Sequence, residues 1–198
     1  GEHHSAGWEI ISSPELFIAA AAERTSQIKL GTGVVSLPYH HPFMVANRMV
    51  QLDHMTRGRV LFGVGPGALP TDAYMMGIEP TSQRPKMDEA LGIILRLFTE
   101  EDPITYKSDW FELNEALLQL RPYQIPHMPV AVASIQTPSG VALAGKHGTS
   151  VLTITVPRDP SEGRAEFSKL WEIAEESALE HGKEVRRSDW RLTVPVHI

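Results

Sequence analysis

The 198-residue chain contains no cysteine. This absence excludes a disulfide framework, a thiolate metal site and a cysteine nucleophile, and it favours a cytoplasmic location. The sequence also lacks a basic run, and its net charge of −6 argues against a nucleic-acid partner. No stretch approaches the ~20 consecutive apolar residues that a membrane helix needs, and we expect no signal peptide at the start.

The composition of the chain is that of a globular protein. Hydrophobic residues make up 42% and charged residues 21%, which is enough apolar material for a sizeable core. No low-complexity or linker-like stretch divides the sequence, so we predict one domain over residues 1–198. The chain begins abruptly without Met, and we expect that an N-terminal portion precedes it.

Helical and strand patterns alternate along the chain. Three sites combine a helix-capping residue with a proline, at Ser13-Pro14, Thr137-Pro138 and Asp159-Pro160, and each predicts a helix start. Residues 66–82 are predicted to be irregular, and a β excursion is expected around residues 100–125. The predicted helices cover about 14–26, 42–57, 85–98, 138–147 and 160–181, and the predicted strands about 28–36, 59–64, 130–133, 151–156 and 190–198.

Strands that alternate with helices across short loops predict a parallel sheet, which makes the fold class α/β. Two architectures satisfy this pattern, a doubly wound sheet and a (β/α)8 TIM barrel. Only four or five strands are visible, and a complete barrel usually takes ~250 residues. A barrel would therefore be incomplete here, with strands missing at both ends.

Two histidine pairs lie near predicted strand ends. Neighbouring residues on a strand point to opposite faces, so His3 and His4 do not both face one pocket or one metal ion. One of them is a candidate catalytic group, and the alternative is a structural pair. His40 and His41 precede the helix that begins at Pro42, where His41 is either a cap or a further catalytic candidate.

Three glycine-rich segments are candidate ligand sites. Gly31-Thr32-Gly33 interrupts a buried strand, which indicates either close approach of a ligand or a kink. Gly63-Val64-Gly65-Pro66-Gly67 has neither dinucleotide nor Walker spacing, and it indicates a loop with room for a ligand. Thr137-Pro138-Ser139-Gly140 opens a helix directly after a strand, where the alternatives are an anion site and an ordinary cap.

Several of these motifs together resemble one known family. The sequence is similar to the bacterial luciferase-like flavin monooxygenases in five segments. They are Glu2-His3-His4, the strand 30–38 followed by His41-Pro42, the motif 52–59, Phe62-Gly63-Val64-Gly65, and 137–140 continuing into 144–148. The resemblance covers nearly the whole chain, and within the family it is closest to the limonene monooxygenase-like members. It implies an eight-fold β/α barrel with FMN bound at the carboxyl ends of the strands.

The resemblance also implies roles for individual residues. His3 corresponds to the family's catalytic histidine, and Glu2 is its acidic neighbour on the flavin side. Gly33-Val34 corresponds to a cis peptide that supports the flavin ring. Two positions depart from the family, because Pro66 replaces a phosphate-contacting Arg and Gln136 replaces an acidic residue. The implied cofactor-binding residues are Glu2, Thr32, Gly33, Val34, Gly65, Ala68, Leu69, Thr137, Ser139 and Gly140.

The function implied by this resemblance is a two-component monooxygenase. It would use reduced FMN, supplied by a flavin reductase, and O2 to oxidise a small apolar organic substrate, and we expect a homodimer. Three alternatives stay open: a deazaflavin-dependent oxidoreductase on the same barrel, a non-catalytic flavin-binding protein, and, more distantly, a metal-dependent hydrolase.

Overall fold

A computed structural model describes residues 1–5, 7, 10–135, 137–153 and 160–193, with the side chains of 160–165 left aside. Two compact units divide the chain, Gly1–Met128 and Pro129–Ile198. In the first unit the elements are α1 (Pro14–Ala22), β1 (Leu30–Gly31), β2 (Val35–Ser36), α2 (Pro42–Thr56), β3 (Val60–Gly65), α3 (Pro70–Met75), α4 (Gln83–Thr99), β4 (Ile104–Lys107) and β5 (Glu112–Ala116). Short 3-10 turns span Leu37–Tyr39 and Pro80–Ser82.

The first unit is built on a parallel sheet. Both β1 and β2 pair in parallel with β3, with Leu30 opposite Val60 and Val35 opposite Val64. Helices α2 and α4 supply buried apolar side chains to the core. The largest fully buried side chains of this unit include Leu37, Met49, Phe62, Leu91, Ile94, Leu97 and Phe98.

The continuous strand predicted over residues 28–36 is wrong, because the structure divides it into β1 and β2. Residues 32–34 lie in neither piece, although the Thr32 amide still donates to the Leu61 carbonyl at 3.2 Å. Within this break the Thr32 hydroxyl donates to the Gly63 carbonyl at 2.8 Å and accepts from the Gly63 amide at 2.9 Å. A side chain thus supplies the bonds to Gly63 at the break, which an apolar run in the sequence does not reveal.

The irregular stretch predicted over residues 66–82 is also corrected. It contains helix α3 and the 3-10 turn Pro80–Ser82. Helix α3 has only six residues, Pro70 opens it, and Asp72 lies in its first turn. A single helical turn and a half is too short to show a 3.6-residue periodicity, which is why the pattern did not predict it.

Strands β4 and β5 form an antiparallel hairpin, within the stretch where a β excursion is expected. Its aromatic residues pack against α4. The Glu89 carboxylate of α4 accepts hydrogen bonds from the Tyr106 hydroxyl at 2.7 Å and from the Trp110 indole at 2.5 Å. The bond to Glu89 and burial both raise the pKa of Tyr106, because they favour the neutral phenol. The hairpin is therefore attached to α4 by polar as well as apolar contacts.

The geometry around Asp53 explains one motif of the sequence. Asp53 is fully buried at the end of α2, and its carboxylate accepts from the Gln124 amide at 2.9 Å and from Gln124 Nε2 at 2.8 Å. Arg57 ends the helix in the left-handed conformation with φ 54°, followed by Gly58 with φ 76°. The segment 52–59 is thus a structural element that holds the chain at Gln124.

The second unit contains β6 (Val130–Ala133), α5 (Pro138–His147), β7 (Ser150–Thr153), α6 (Pro160–Glu180), a 3-10 turn (Arg187–Asp189) and β8 (Arg191–Leu192). Strands β6, β7 and β8 are parallel, with Val132 opposite Val151 and Thr153 opposite Leu192. Helices α5 and α6 pack closely, since a Cβ on Gly145 would meet the Ala174 carbonyl. The predicted positions 154–159 and 194–198, and Gln136, lie outside the described residues.

The α/β class with parallel strands is therefore confirmed in both units. Each unit shows strands connected through helices, as the alternating pattern predicts. Among the helices of the described residues, none has the length and apolar character that crossing a membrane requires.

Candidate active site

The carboxyl ends of β2 and β3 meet at one edge of the sheet in the first unit. Ser36 lies opposite Gly65 in the parallel register, so the segments that follow both strands leave from the same edge. Residues 2–5 contact these same segments. Five side chains converge there, and we call them the loop cluster: Glu2, His3, His4, His40 and Asp72.

Glu2 is the centre of one half of the loop cluster. Its side chain is buried, with the residue 3% exposed. His40 Nε2 donates to Glu2 Oε1 at 2.7 Å, and His4 Nε2 donates to the same oxygen at 3.2 Å. The backbone amide of Ser36 donates to Oε2 at 2.6 Å. Both carboxylate oxygens are thus bonded within the protein, which fixes the N-terminal segment against the end of β2.

Burial of Glu2 acts to raise the pKa of its carboxyl, because it disfavours the charged form. The hydrogen bond and the charge of His40 act in the opposite direction, together with the bonds from Ser36 and His4. The pKa of Glu2 is consequently held below its ordinary value of 4.5. Glu2 is therefore a carboxylate at neutral pH.

Asp72 is the centre of the other half of the loop cluster. This residue of α3 is 1% exposed. Its Oδ2 accepts from the His4 amide at 3.2 Å and lies 3.8 Å from His3 Nδ1. Its Oδ1 accepts from the Ser5 hydroxyl, which also lies 2.6 Å from the Thr71 hydroxyl. Asp72 thus connects residues 3–5 to the segment that follows β3.

Tyr39 and Gln83 close this side of the site. Gln83 Nε2 donates to the Tyr39 hydroxyl at 3.2 Å and to the Pro66 carbonyl at 2.9 Å. Burial raises the pKa of Tyr39, and the negative charge of Asp72 raises it further. Gly67 has φ 89°, and a Cβ there would collide with the Tyr39 hydroxyl, so only glycine fits at this turn.

The segment Gly33-Val34 carries the cis peptide bond that the resemblance implies. Gly33 is exposed and Val34 is half-buried. A Cβ on Gly65 would lie 2.6 Å from Val34 Cγ2, so the side chain of Val34 occupies the space that the glycine of β3 leaves. Gly33 thus presents exposed backbone without a side chain just before β2.

The remaining predicted residues of the first unit have different surroundings. Thr32 is buried and its hydroxyl is bonded to β3, as described above. Ala68 is exposed, and Leu69 is half-buried, where its carbonyl accepts from the first amides of α3. The structure thus places Gly33, Ala68 and part of Val34 at the surface, whereas Glu2 and Thr32 are interior.

The predicted anion site lies in the second unit, at the first turn of α5. Thr137 and Ser139 are exposed, their hydroxyl oxygens are 3.2 Å apart, and the Thr137 carbonyl accepts from the Ser134 hydroxyl at 3.1 Å. Thr137 makes no side-chain cap. Gly140 is buried, and a Cβ there would lie 2.7 Å from the Ala133 carbonyl. Glycine thus allows α5 to begin directly against β6.

Three residues of the site were not predicted from the sequence. His40 was considered only as a junction residue, and Asp72 and Tyr39 were not candidates. Asp72 and His4 are 68 positions apart, and no local pattern reports such a contact. Among the described residues, no group of three His, Asp or Glu side chains is arranged to hold a metal ion.

The family model described as luciferase-like monooxygenase matches residues 1–198. The chain belongs to the luciferase-like monooxygenase family. It is 53% identical over its full length to 4-hydroxyprotoasukamycin monooxygenase of Streptomyces nodosus subsp. asukaensis, and 50% identical to limonene 1,2-monooxygenase of Rhodococcus erythropolis. The predicted likeness to this family and to its limonene monooxygenase-like members is confirmed.

A solved structure of the same family matches the fold. The oxygenating constituent of 3,6-diketocamphane monooxygenase from Pseudomonas putida, a type II Baeyer-Villiger enzyme in complex with FMN, is 28% identical with a TM-score of 0.78 over 96% of this chain and 54% of its own. The two curated relatives are covered over 53% and 50% of their lengths. This chain therefore spans about half the length of the curated relatives that it matches.

Proposed function

We propose that this protein is a flavin-dependent monooxygenase that uses reduced FMN and O2 to oxidise a small apolar organic substrate. The observation that carries the proposal is the identity of 50–53% to two monooxygenases over every residue of the chain. The relative of known structure binds FMN. We further propose that the fold is that of the (β/α)8 barrel that the resemblance implies, and that the protein is cytoplasmic.

The residues of the first unit fit a flat aromatic ring. Gly33 offers exposed backbone without a side chain, and Val34 offers part of an apolar side chain beside it. The side chain of Val34 packs against Gly65 of β3, and this contact leaves no room for a larger residue at position 65. We propose that Gly33, Val34, Gly65, Ala68 and Leu69 form the flavin-ring side of the site.

The first turn of α5 fits a phosphate group. The first amides of any helix have no acceptor within that helix, and the helix dipole is positive at this end. Two exposed hydroxyls, from Thr137 and Ser139, flank the turn. Pro66 replaces the family's Arg, so we propose that phosphate binding depends on backbone, hydroxyl groups and Gly140 rather than on a cation at that position.

Reduced FMN would supply the two electrons with which one atom of O2 enters the substrate and the other leaves as water. His3 is the residue that we propose to move a proton in this reaction, because a neutral imidazole both donates and accepts near neutral pH. Its side chain is 20% exposed, beside a buried carboxylate. Glu2 is interior, and we propose that it holds the His3–His4 segment rather than contacting the flavin.

The alternatives make different predictions for the same protein. A deazaflavin-dependent oxidoreductase would bind the deazaflavin F420 and transfer hydride without consuming O2. A non-catalytic flavin-binding protein would bind FMN and leave an apolar substrate unchanged. The presence of His3 beside Asp72 favours an enzyme over a storage protein, since binding alone requires no carboxylate–imidazole pair.

The decisive experiment compares FMN and F420 as ligands of the full-length protein. Oxidised and reduced forms of each would be titrated, and O2 uptake and incorporation of ¹⁸O into limonene, used as an apolar probe, would be followed with chemically reduced FMN. We expect FMN to bind and label to enter the probe. Binding of F420 alone would overturn the proposal, and FMN binding without labelling of any of a panel of small terpenes and ketones would favour the storage protein.

Replacement of His3 by alanine should separate binding from chemistry. We expect His3→Ala to lower the rate of product formation by about 10²–10⁴-fold, the usual contribution of a general acid or base, with FMN affinity nearly unchanged. His181→Ala is the matched control, because His181 is exposed at the end of α6 and its ring contacts only a helix carbonyl at 2.8 Å among the bonds described. Equal rates for His3→Ala and the wild type would exclude this role.

We further propose two partners, a flavin reductase that delivers reduced FMN and a second copy of the chain. The support for a homodimer is α1, whose side chains Leu16 and Phe17 are 70% and 62% exposed. Apolar side chains of this size on one helix favour a protein contact. Helix α1 is joined to α2 by the ion pair of Glu15 with Arg48 at 3.1 Å.

Phe17→Glu should therefore shift the full-length protein toward monomer. A charge in a contact between two copies costs desolvation that an exposed surface does not impose. Light scattering coupled to size exclusion would measure the mass as a function of concentration. Leu179→Glu is the control, because Leu179 is 82% exposed on α6 in the other unit. A wild-type protein that is monomeric at all concentrations would exclude the dimer.

A further inference from the structure

Asp72 contacts three consecutive residues of the N-terminal segment. Its carboxylate accepts from the His4 amide at 3.2 Å and from the Ser5 hydroxyl, and its Oδ2 lies 3.8 Å from His3 Nδ1. The carboxylate belongs to α3 and is 1% exposed. Residues 1–5 lie in no helix or strand. The position of His3 thus depends on the contacts of Asp72 and on the bond of its own amide to the Ile11 carbonyl at 3.4 Å, not on regular secondary structure.

The three contacts of Asp72 have different chemical consequences. The hydrogen bonds from the His4 amide and the Ser5 hydroxyl hold the N-terminal segment in place. Any good hydrogen-bond acceptor at position 72 could accept them. Oδ2 lies 3.8 Å from His3 Nδ1, beyond hydrogen-bond distance, so the carboxylate acts on this ring nitrogen through its negative charge. A carboxylate at this position favours the imidazole tautomer that is protonated on Nδ1, which makes Nε2 the nitrogen that accepts a proton.

The other charged and titratable groups near His3 have contacts of their own. Glu2 is bonded to His4, His40 and the Ser36 amide. Tyr39 accepts from Gln83, and the raised pKa of its phenol keeps it neutral at physiological pH. Within the part of the chain that the structure describes, Asp72 is the carboxylate recorded at ion-pair distance from the His3 ring.

We propose that Asp72 is a positioning residue that holds His3 in the Nδ1–H tautomer and in a fixed orientation, with Nε2 as the proton-accepting atom. The inference rests on the proposed role of His3 in the monooxygenase reaction. Asp72 itself does not touch substrate or cofactor in this proposal. It acts only through the histidine.

The test is the tautomeric state of His3 in the full-length protein without flavin. Long-range ¹H–¹⁵N spectra of protein labelled at histidine distinguish Nδ1–H from Nε2–H, and His3→Gln assigns the signal. The spectra would be recorded at pH 8.5, where an ordinary imidazole is neutral. We expect the wild type to show Nδ1–H. A wild-type spectrum of the Nε2–H tautomer would overturn the proposal without any variant.

Asp72→Asn keeps the size of the side chain and an oxygen for the His4 amide. Its carboxamide has no negative charge and can present N–H groups to Nδ1, so we expect His3 to change to the Nε2–H tautomer. Glu79→Gln is the matched control, because Glu79 is an exposed carboxylate just after α3. It should leave the tautomer unchanged. Ser5→Ala removes the hydroxyl contacts with Asp72 and Thr71 but leaves the Asp72 carboxylate and the His4 amide in place, so it should also leave the tautomer unchanged.

Kinetics then separate positioning from general loss of structure. Asp72→Asn should lower kcat by about 10²-fold, the order of a lost acid–base contribution, with FMN affinity and KM nearly unchanged. Equal loss in Asp72→Asn and Ser5→Ala, with the tautomer of wild type retained in both, would show a merely structural role and overturn the proposal. If the tautomer changes as expected but FMN does not bind to the wild type, the proposed function fails while the Asp72–His3 coupling stands.

Discussion

Glu2→Ala should destabilise the full-length protein by about 3 kcal/mol or more, the cost of removing one partner from a buried, hydrogen-bonded charge cluster. The substitution leaves the Ser36 amide and the Nε2 atoms of His4 and His40 without the acceptor that they have at 2.6, 3.2 and 2.7 Å. Chemical denaturation at pH 7 would measure the loss. A loss below about 0.5 kcal/mol, the range of ordinary surface substitutions, would contradict the assignment of Glu2 as an interior anchor.

Protonation of Glu2 should make the free energy of unfolding depend on pH. The pKa of Glu2 is lowered in the folded protein, because the bonds and charge of its partners outweigh burial. A lowered folded-state pKa contributes stability that is fully present above the unfolded value of about 4.5 and is lost as the pH falls through the folded pKa. The free energy of unfolding should therefore decrease on acidification below about pH 4.5.

Glu2→Gln separates this contribution from that of the other carboxyl groups. Glutamine keeps the length of the side chain and one oxygen acceptor, but it has no proton to gain between pH 7 and pH 3. We expect it to be less stable than the wild type at pH 7 and to lose less stability over that range. Glu79→Gln again serves as control, since Glu79 is exposed and makes no contact with the loop cluster among the bonds described. Identical slopes for wild type and Glu2→Gln would contradict the lowered pKa.

The helices and strands that could be predicted from the sequence are those that local residue patterns specify. Proline at the start of α1, α2 and α5, and the periodic apolar residues of α4, fix these helices within the chain itself. The strand 130–133 was predicted with its observed bounds because a short apolar run between turns leaves few alternatives. The family was predictable because several motifs occur in the same order.

The parts that were not predictable depend on contacts distant in sequence. Thr32 interrupts a strand by bonding to Gly63, 31 positions away, and Asp72 contacts residues nearly 70 positions before it. The short helix α3 exists because Pro70 opens it and Asp72 is held by the N-terminal segment, which a six-residue window does not show. The sequence predicts only that His40 lies at a strand-to-helix junction, because its bond to the buried carboxylate of Glu2 joins residues 38 positions apart.

Substitution of Gly140 or Gly145 in α5 should give the second large loss of stability. Comparing the two variants separates an effect on folding from an effect on ligand binding. Gly145 faces α6, where a Cβ would collide with the Ala174 carbonyl and lie 2.9 Å from the Ala178 amide. Helix propensity alone predicts that Gly145→Ala stabilises the helix by about 1 kcal/mol. The packing predicts the opposite, a destabilisation of about 2–3 kcal/mol, because both neighbours are backbone atoms that cannot move without separating the helices.

Gly140→Ala should also destabilise the second unit, since its Cβ would lie 2.7 Å from the Ala133 carbonyl and 2.9 Å from Ser134 Cβ. Here the displaced atoms belong to the turn between β6 and α5, where we place the phosphate of FMN. Gly140→Ala should therefore lower FMN affinity about tenfold in protein that remains folded, whereas Gly145→Ala should leave the affinity nearly unchanged. Calorimetric titration, below the melting temperature of each variant, would measure both. A loss of FMN affinity that simply follows the loss of stability in the two variants would contradict a phosphate site at this turn.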